Sequence, residues 1–257
     1  MARILITGAA DGLGRLAAKR LVAEGHRVVL HARNRARAAE ALAAVPGAEA
    51  TAFGDLSSID ECRHIADQAN LLGSFDAVIH NAGIGYRERR RVETVDGLPQ
   101  VFAINTLAPY ILTALIARPK RLVYLSSGMH RSGDPSLDDL LWRERTWNGS
   151  SAYADTKLHD AILAFAIARK WRDVLSNAVE PGWVATKMGG PSAPDDLEAG
   201  ATTQVWLATS NDSDAMVSGE YFYHQRRKPP VAAVRDPKLQ ERLLAECARI
   251  SGIALPH

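Results

Sequence analysis

The sequence predicts an α/β fold, a doubly wound parallel β-sheet with helices on both faces. Short apolar segments alternate with longer segments of helical periodicity, and such βα repeats connect through right-handed crossovers into a parallel sheet. The chain has 257 residues, a length that suits one domain over 1–257 with about seven strands. The predicted strands lie near residues 3–7, 27–32, 50–53, 75–80, 121–126, 173–179 and 217–223.

The first predicted strand, Arg3 to Thr7, leads directly into a glycine-rich turn. The turn is Gly8-Ala9-Ala10-Asp11-Gly12-Leu13-Gly14, and a helical pattern runs from Arg15 to Glu24. Glycines let the backbone approach a pyrophosphate, and free amides at a helix N-terminus stabilise the anion. A tight turn without a ligand is the alternative, but the position after the first strand favours a dinucleotide site.

Tyr153 and Lys157 lie four residues apart in a helical segment, so both side chains project from one helix face. A nearby ammonium favours the phenolate, so we expect the pKa of Tyr153 to fall from about 10 toward neutrality. Such a phenol can exchange a proton with a substrate oxygen. The alternative is two ordinary residues on an amphipathic helix, and the glycine-rich turn favours the catalytic interpretation.

The glycine-rich turn and the Tyr153–Lys157 pair are the first and sixth of seven motifs whose residues and order resemble the short-chain dehydrogenase/reductase family. The others are Asp55-Leu56, Asn81-Ala82-Gly83, Asn105, Ser126-Ser127 and Pro181-Gly182-Trp183-Val184-Ala185-Thr186. The resemblance spans nearly the whole chain and implies a Rossmann-type fold and a nicotinamide-dependent oxidoreductase. The region after Ser127 resembles the retinol-dehydrogenase-like and protochlorophyllide-reductase-like branch.

By this resemblance, Asp55 holds the adenine amino group, Asn81 lines the adenine ribose and Thr186 contacts the nicotinamide carboxamide. Structural alternatives are a cap for the helix near Ser57, a turn and a helix start, respectively. The implied cofactor-binding residues are Gly8, Asp11, Gly12, Leu13, Gly14, Arg33, Asp55, Leu56, Asn81, Ala82, Gly83, Tyr153, Lys157, Pro181, Gly182, Val184 and Thr186.

The resemblance also implies a catalytic set of Ser127, Tyr153, Lys157 and Asn105. Tyr153 exchanges the proton, Ser127 orients the carbonyl oxygen, and Lys157 stabilises the phenolate and binds the nicotinamide ribose. Asn105 holds a water of the proton relay, whereas a helix-bending residue is its alternative. Ser126 is expected to pack or form a hydrogen bond nearby.

Arg33 predicts NADP rather than NAD as the cofactor. Ala32 occupies the position at which NAD-preferring relatives carry an acid, and Arg33 can pair with the 2′-phosphate of NADP. A charged residue at a helix start is the alternative. Asp11 opposes the preference, since many NADP-dependent relatives have a basic residue there.

Two segments, 128–150 and 187–200, are predicted to insert beside the substrate. Ser127 and Tyr153 are 26 positions apart, so the first segment has room for a helix and an apolar wall. Trp142 and Trp147 form that wall or pack against the sheet edge. Since the related branch takes bulky apolar substrates, we expect a bulky apolar carbonyl or alcohol contacted by Trp147 or Trp183. The second segment, rich in Gly and Pro, is predicted to close over it.

Composition excludes several classes of protein. A net charge of +2 argues against a nucleic-acid surface, and the chain lacks both a run of ~20 apolar residues and a signal sequence, so we expect a cytoplasmic protein without membrane spans. Cys62 and Cys247 suggest neither a disulfide nor a zinc site, and no metal is expected. The helical segments 98–117 and 153–168 suggest a homodimer or homotetramer, although the apolar run 161–167 equally suits the face toward the sheet.

Two other functions fit a Rossmann-type fold, because a fold does not determine a function. A redox sensor or scaffold that binds NADP without turnover tends to lose the tyrosine or lysine, and this chain has both. A nucleotide-sugar epimerase or dehydratase carries a larger substrate domain, whereas only 71 residues follow Thr186.

Overall fold

The computed structural model describes residues 1–256. The strands are β1 (Arg3–Ile6), β2 (Arg27–Ala32), β3 (Ala50–Phe53), β4 (Ala77–His80), β5 (Arg121–Leu125), β6 (Leu175–Glu180), β7 (Tyr221–Tyr223) and β8 (Arg226–Arg227). The α-helices are α1 (Gly12–Ala23), α2 (Arg35–Ala44), α3 (Ile59–Leu72), α4 (Gln100–Phe102), α5 (Ala108–Leu115), α6 (Gly149–Lys170), α7 (Leu197–Thr209) and α8 (Pro237–Ser251).

These strands form one sheet in the order β3-β2-β1-β4-β5-β6-β7-β8. The pairs from β3 to β7 are all parallel, and only the β7–β8 pair is antiparallel. The predicted α/β fold with a parallel sheet is therefore confirmed. The strand order reverses between β1 and β4, and in doubly wound sheets the ligand binds at this switch point, outside the carboxyl ends of the strands.

The sheet has eight strands within the described chain, not about seven as expected. The additional strand β8 pairs with β7 through Phe222–Arg227 and Tyr223–Arg226. The two residues between them, His224 and Gln225, have φ values of 46° and 60°. Two successive positive φ values are typical of a tight hairpin turn, which sequences usually mark with Asn-Gly or Gly. This turn contains neither signal, so β8 could not be predicted from the sequence.

Two apolar layers hold the helices against the sheet. Successive strand residues point to opposite faces, so Leu5 packs with α3, α5, α6 and α8, while Ile4 and Ile6 pack with α1, α2 and α7. Residues 161–167 of α6 are buried within the chain in the first layer. The apolar run in α6 therefore faces the sheet and α8, and the predicted oligomer stays a prediction.

Both predicted insertions differ in form from the expectation. Segment 128–150 begins with a 3-10 helix, Gly128–Ser132, and continues in turns until α6 begins at Gly149. Arg145 anchors these turns through ion pairs to Asp134, Asp139 and Asp155. Such side-chain ion pairs fold the segment without the expected α-helix. The loop predicted over 187–200 ends earlier, because α7 begins at Leu197 with Asp196 as its N-cap.

In the described part of the chain, no helix combines the length and apolar character that a membrane span requires.

We expect Leu5→Ala to lower the free energy of unfolding by about 2–5 kcal/mol, because Leu5 is fully buried at the centre of the sheet. The matched control is Leu71→Ala, in which the leucine is 88% exposed; its effect should stay within about 0.5 kcal/mol. Urea unfolding of both variants measures the difference. Equal losses would contradict the assignment of Leu5 to the core.

Candidate active site

A cleft of about 1480 Å³ opens along the carboxyl ends of the parallel strands. This volume exceeds that of a usual small-molecule pocket, about 300–1,000 Å³, so it has room for a dinucleotide together with a substrate. The cleft is lined by every predicted site residue except Asn105: Gly8, Asp11, Gly12, Leu13, Gly14, Arg33, Asp55, Leu56, Asn81, Ala82, Gly83, Ser127, Tyr153, Lys157, Pro181, Gly182, Val184 and Thr186.

The glycine turn approaches the end of β4 too closely for side chains. A Cβ on Gly14 would lie 2.4 Å from Asn81 Nδ2 and 2.5 Å from Gly8 O. Gly8 has φ +65°, and a Cβ there would lie 2.9 Å from Ala82 Cα. Asn81 Nδ2 in turn donates to Thr7 O at 2.9 Å. The turn is thus a compact backbone surface that suits a pyrophosphate.

Helix α1 begins without a side-chain cap in the described structure. Its N-cap residue is Asp11, whose carboxylate pairs with Arg37 and, at 3.0 Å, with Lys187. The first amides of α1 therefore have no side-chain acceptor, and such amides together with the helix dipole stabilise an anion. The geometry fits the phosphates of a dinucleotide, as the sequence predicted for this turn.

His31 connects the glycine turn to the strand edge and was missed in the sequence. Gly8 N donates to His31 Nδ1 at 3.1 Å, so the other ring nitrogen carries the proton and donates to Gly54 O at 3.0 Å. Burial lowers the pKa of His31 to about 4. The ring therefore stays neutral and keeps this tautomer. Only its position at the end of β2 would have suggested the contact.

Three arginines, Arg15, Arg33 and Arg37, line the end of the cleft that includes Ala32 and Asp55. Arg33 is exposed and precedes α2, whereas Arg37 lies in the first turn of α2 and pairs with Asp11 and Glu40. The sequence indicated Arg33 but missed Arg15 and Arg37. Asp55 accepts a hydrogen bond from Ser57 N at 2.9 Å, while Ser58 is the N-cap of α3. The alternative of a helix cap at Asp55 is therefore wrong.

At the other end of the cleft, Tyr153 is 6% exposed and lies on the same face of α6 as Lys157. Lys157 Nζ lies 5.6 Å from the centroid of the Tyr153 ring. Burial raises the pKa of Tyr153, and the Lys157 ammonium and Ser127 hydroxyl lower it by less, so its net direction is upward. The expected fall toward neutrality is wrong for this structure, because the sequence does not show the depth of burial.

Lys157 is only 5% exposed and has a buried counter-ion, Asp160. Its ammonium donates to Asp160 Oδ2 and to Leu125 O, each at 2.7 Å. Burial raises the pKa of Asp160 to about 7, although Lys157 opposes the rise. Burial lowers the pKa of Lys157, but Asp160 and Tyr153 outweigh it and raise the net value.

The adjacent serines have different surroundings. Ser126 is buried, and its Oγ donates to Lys157 O at 2.7 Å. Ser127 lies in the cleft, and its Oγ accepts from Met129 N at 3.2 Å. The strand therefore directs Ser127 toward Tyr153 and uses Ser126 to hold the backbone of α6.

Asn105 lies in the π-helical turn Ala103–Leu107 and is 1% exposed. Its amide accepts from Ile84 N at 2.8 Å and donates to Ile84 O at 3.0 Å and Thr156 Oγ1 at 3.1 Å. These bonds tie the segment after β4 to α6. Asn105 thus positions the wall of the cleft, and π-helical turns are frequent at functional sites.

Apolar side chains lie beside Tyr153, whose hydroxyl is 3.8 Å from Met188 Sδ. Tyr86 meets the Tyr153 ring edge-on at 5.7 Å, and Met129 lines the cleft nearby. Trp183 also lines the cleft and is 51% exposed. The sequence indicated Trp183 but missed Tyr86, Met129 and Met188, which carry no motif.

We expected Trp147 or Trp183 to contact the substrate. In the described part of the chain Trp183 lines the cleft, whereas Trp147 does not. Its indole donates to Glu88 O at 2.9 Å, and Trp142 meets it edge-on at 5.4 Å. Trp142 packs in an apolar cluster with Val101 and Tyr153. The two tryptophans therefore support the wall from behind, because their rings fill the space between α6 and the inserted turns.

Asp195 is hydrogen-bonded to Trp183 and so joins the two ends of the segment that carries Thr186. Its carboxylate accepts from Trp183 N at 2.5 Å, and its amide donates to Trp183 O at 3.0 Å. A Cβ on Gly182, where φ is +88°, would lie 2.5 Å from the Asp195 carboxylate. Thr186 Oγ1 accepts from Gly189 N at 3.2 Å, and its methyl lies 3.5 Å from a Cβ built on Gly12. The segment thereby covers the glycine turn.

Among residues 1–256, no cluster of three or more His, Cys, Asp or Glu side chains has an arrangement that could hold a metal ion.

Comparison with known proteins agrees with this geometry. The family profile described as short chain dehydrogenase matches residues 2–128. A short-chain dehydrogenase of Gibberella zeae is 43% identical over 100% of this chain and 99% of the relative. This chain belongs to the short-chain dehydrogenase family. The predicted family is therefore confirmed, and with it an oxidoreductase of a family that binds nicotinamide cofactors.

More distant members of the family include human retinol dehydrogenase 13, which is 28% identical over 98% of this chain and 85% of that protein. The predicted similarity to retinol dehydrogenases is thus confirmed. A solved structure of an uncharacterized protein of Mycobacterium paratuberculosis has a TM-score of 0.85 and 25% identity, covering 100% of this chain and 96% of that one.

We expect Gly14→Ala to weaken nicotinamide dinucleotide binding at least about tenfold, because the new Cβ would displace Asn81 or Gly8 from the phosphate surface. Lys19→Ala, at an exposed position of α1 that does not line the cleft in the described structure, serves as the control. Isothermal titration calorimetry measures both affinities. Unchanged affinity in Gly14→Ala would show that the cofactor does not use this turn.

Proposed function

We propose that this chain is an NADP-dependent oxidoreductase that transfers a hydride between the nicotinamide and a carbonyl or secondary alcohol of a bulky apolar substrate. The observation that carries the proposal is the placement of Ser127, Tyr153 and Lys157 at one end of a cleft whose other end holds Arg33 and Arg37. One end thus offers a proton donor, and the other offers cations for a 2′-phosphate.

The cofactor supplies the hydride, and the chain supplies binding and proton transfer. Tyr153 donates its hydroxyl proton to the carbonyl oxygen in reduction and recovers a proton in oxidation. Ser127 donates a hydrogen bond to the same oxygen and so stabilises the charge that develops there. Lys157 supports the phenolate form that Tyr153 adopts after it has given up its proton.

The apolar surroundings of Tyr153 support a bulky apolar substrate. Tyr86, Met129, Met188 and Trp183 come from three separate segments, and all border the substrate end of the cleft. Apolar walls exclude water from the reacting carbonyl and contribute binding in proportion to the area they cover. The names of the retinol dehydrogenases among the relatives are consistent with a substrate of this kind.

The catalytic assignment predicts that Tyr153→Phe lowers turnover about 10²–10⁴-fold, because the ring stays while the proton donor is lost. The affinity of Tyr153→Phe for NADPH should change little, whereas Lys157→Ala should reduce both turnover and NADPH affinity. The assay is NADPH oxidation with a panel of aldehydes, ketones and quinones. Tyr86→Phe, which removes a hydroxyl beside Tyr153, is the control. Turnover in Tyr153→Phe within a few-fold of the parent would contradict the assignment and favour a sensor.

The cofactor assignment predicts that Arg33→Ala weakens NADPH binding about tenfold to a hundredfold and spares NADH. One charge-assisted hydrogen bond is worth ~1.5–3 kcal/mol, and only NADPH has a 2′-phosphate to lose. Arg37→Ala should act in the same direction. Arg35→Ala is the matched control, since Arg35 packs over the Phe53 ring and does not line the cleft in the described structure. Equal weakening of NADPH and NADH would assign Arg33 a structural role.

The substrate assignment predicts that Trp183→Ala raises KM for large apolar carbonyls more than for small ones, because the lost contact scales with buried area. Steady-state kinetics with a homologous series of ketones measures the trend. The loss of small and large substrates alike, in proportion to lost folded protein, would place Trp183 in the scaffold.

A further inference from the structure

Helix α6 carries two buried carboxylates, Asp155 and Asp160. Asp155 pairs with Arg145 of the inserted segment, whereas Asp160 contacts Lys157. The Lys157 ammonium and the Asp160 carboxylate lie 2.7 Å apart, and their side chains are 6% and 3% exposed. Solvent hardly screens a pair that is buried so deeply. With Asp160 ionised, the pair has no net charge, and Tyr153 therefore experiences less positive potential than a lone ammonium would produce.

We propose that Asp160 is a positioning residue that neutralises and orients Lys157 and so keeps Tyr153 in its proton-donating phenol form to higher pH. This inference rests on the function proposed above and adds a direction to it. A tyrosine that stays protonated serves carbonyl reduction, whereas alcohol oxidation requires the phenolate. Asp160, which is ionised at alkaline pH, thus extends the reductive reaction toward the pH at which Tyr153 loses its proton.

Position is the second contribution of Asp160. Of the three ammonium hydrogens of Lys157, one is directed to Asp160 and one to Leu125 O. These two fixed acceptors orient the third N–H group of Lys157. The ammonium lies next to Gly83, which lines the cleft: a Cβ built on Gly83 would be 3.6 Å from Lys157 Nζ. The ammonium is therefore held at the surface of the cleft rather than free to rotate.

The titratable groups near Asp160, other than Lys157, are neutral, so the Asp160 carboxylate is the negative charge that acts on Tyr153. From α6 these groups are Lys157 and Tyr153, and from β5 the group is Tyr124. Burial raises the pKa of Tyr124, so it stays neutral. The His80 ring of β4 lies 4.7 Å from the Tyr124 ring, and burial lowers the pKa of His80 to about 3, so this imidazole stays neutral and adds no positive charge.

The Asp160 carboxylate raises the pKa of Tyr153. A negative charge near a phenol raises its pKa, and Asp160 acts in this direction on Tyr153. Asp160→Asn removes the charge and keeps the shape, so the pKa of Tyr153 should fall by about one unit. Tyr153 then loses its proton at lower pH, and the alkaline limb of the reductive rate should move down by the same amount.

The test measures the ionisation of Tyr153 without substrate. The ultraviolet absorbance of tyrosinate is titrated in the parent and in Asp160→Asn, each corrected by the same chain carrying Tyr153→Phe. We expect the Tyr153 midpoint to move about one pH unit lower in Asp160→Asn and to stay near the parent value in Asp160→Glu. Asp160→Ser is a second charge-free variant, and its smaller side chain fits the site if asparagine disturbs the packing.

Asp155→Asn is the matched control, because Asp155 is a buried carboxylate of the same helix that pairs with Arg145 instead. A Tyr153 midpoint that is unchanged or higher in the charge-free variants, or an equal shift in Asp155→Asn, would overturn the proposal. The pH profile of NADPH-dependent reduction is the second readout. If the parent shows no turnover, the proposed function fails, while the absorbance titration still decides the role of Asp160.

Discussion

The turn after β1 can approach the end of β4 only because Gly14 has no side chain. The backbone of Gly8 and the amide of Asn81 occupy the space that a Cβ would take, at 2.5 and 2.4 Å. This close approach leaves the first amides of α1 facing the cleft and fixes the position of the segment after β4. That segment is bonded to Asn105 and, through it, to α6. The phosphate surface and the tyrosine helix are therefore parts of one connected framework.

Sequence alone predicted the features that depend on local pattern. The parallel sheet follows from alternating apolar segments, and the residues that line the cleft follow from ordered motifs at strand ends. Features that depend on tertiary contact were missed. Asp160 looks like an ordinary polar residue of a helix until its burial against Lys157 is known. Arg37 could have been inferred, since it lies four residues after Arg33 in the first turn of α2.

The two tryptophans of the inserted segment show how composition can mislead. Aromatic residues beside catalytic motifs suggest a substrate wall, yet Trp142 and Trp147 pack against one another behind Tyr153. Met129 and Met188 line the cleft there together with Tyr86 and Trp183, and flexible methionine side chains adapt to irregular shapes. Methionines placed by loops have no periodicity, so a sequence pattern does not identify them.

The two ends of the cleft contain buried groups that titrate in different pH ranges. With a pKa near 4, the imidazole of His31, which connects Gly8 to Gly54, keeps one tautomer from pH ~5 to 8, and the glycine turn therefore keeps this support over that range. The opposite end contains a carboxyl whose pKa is raised to about 7, in contact with the lysine beside the phenol. Between pH ~5 and 8, a change in acidity can thus alter the charge beside Tyr153, whereas the imidazole that supports the glycine turn keeps its form.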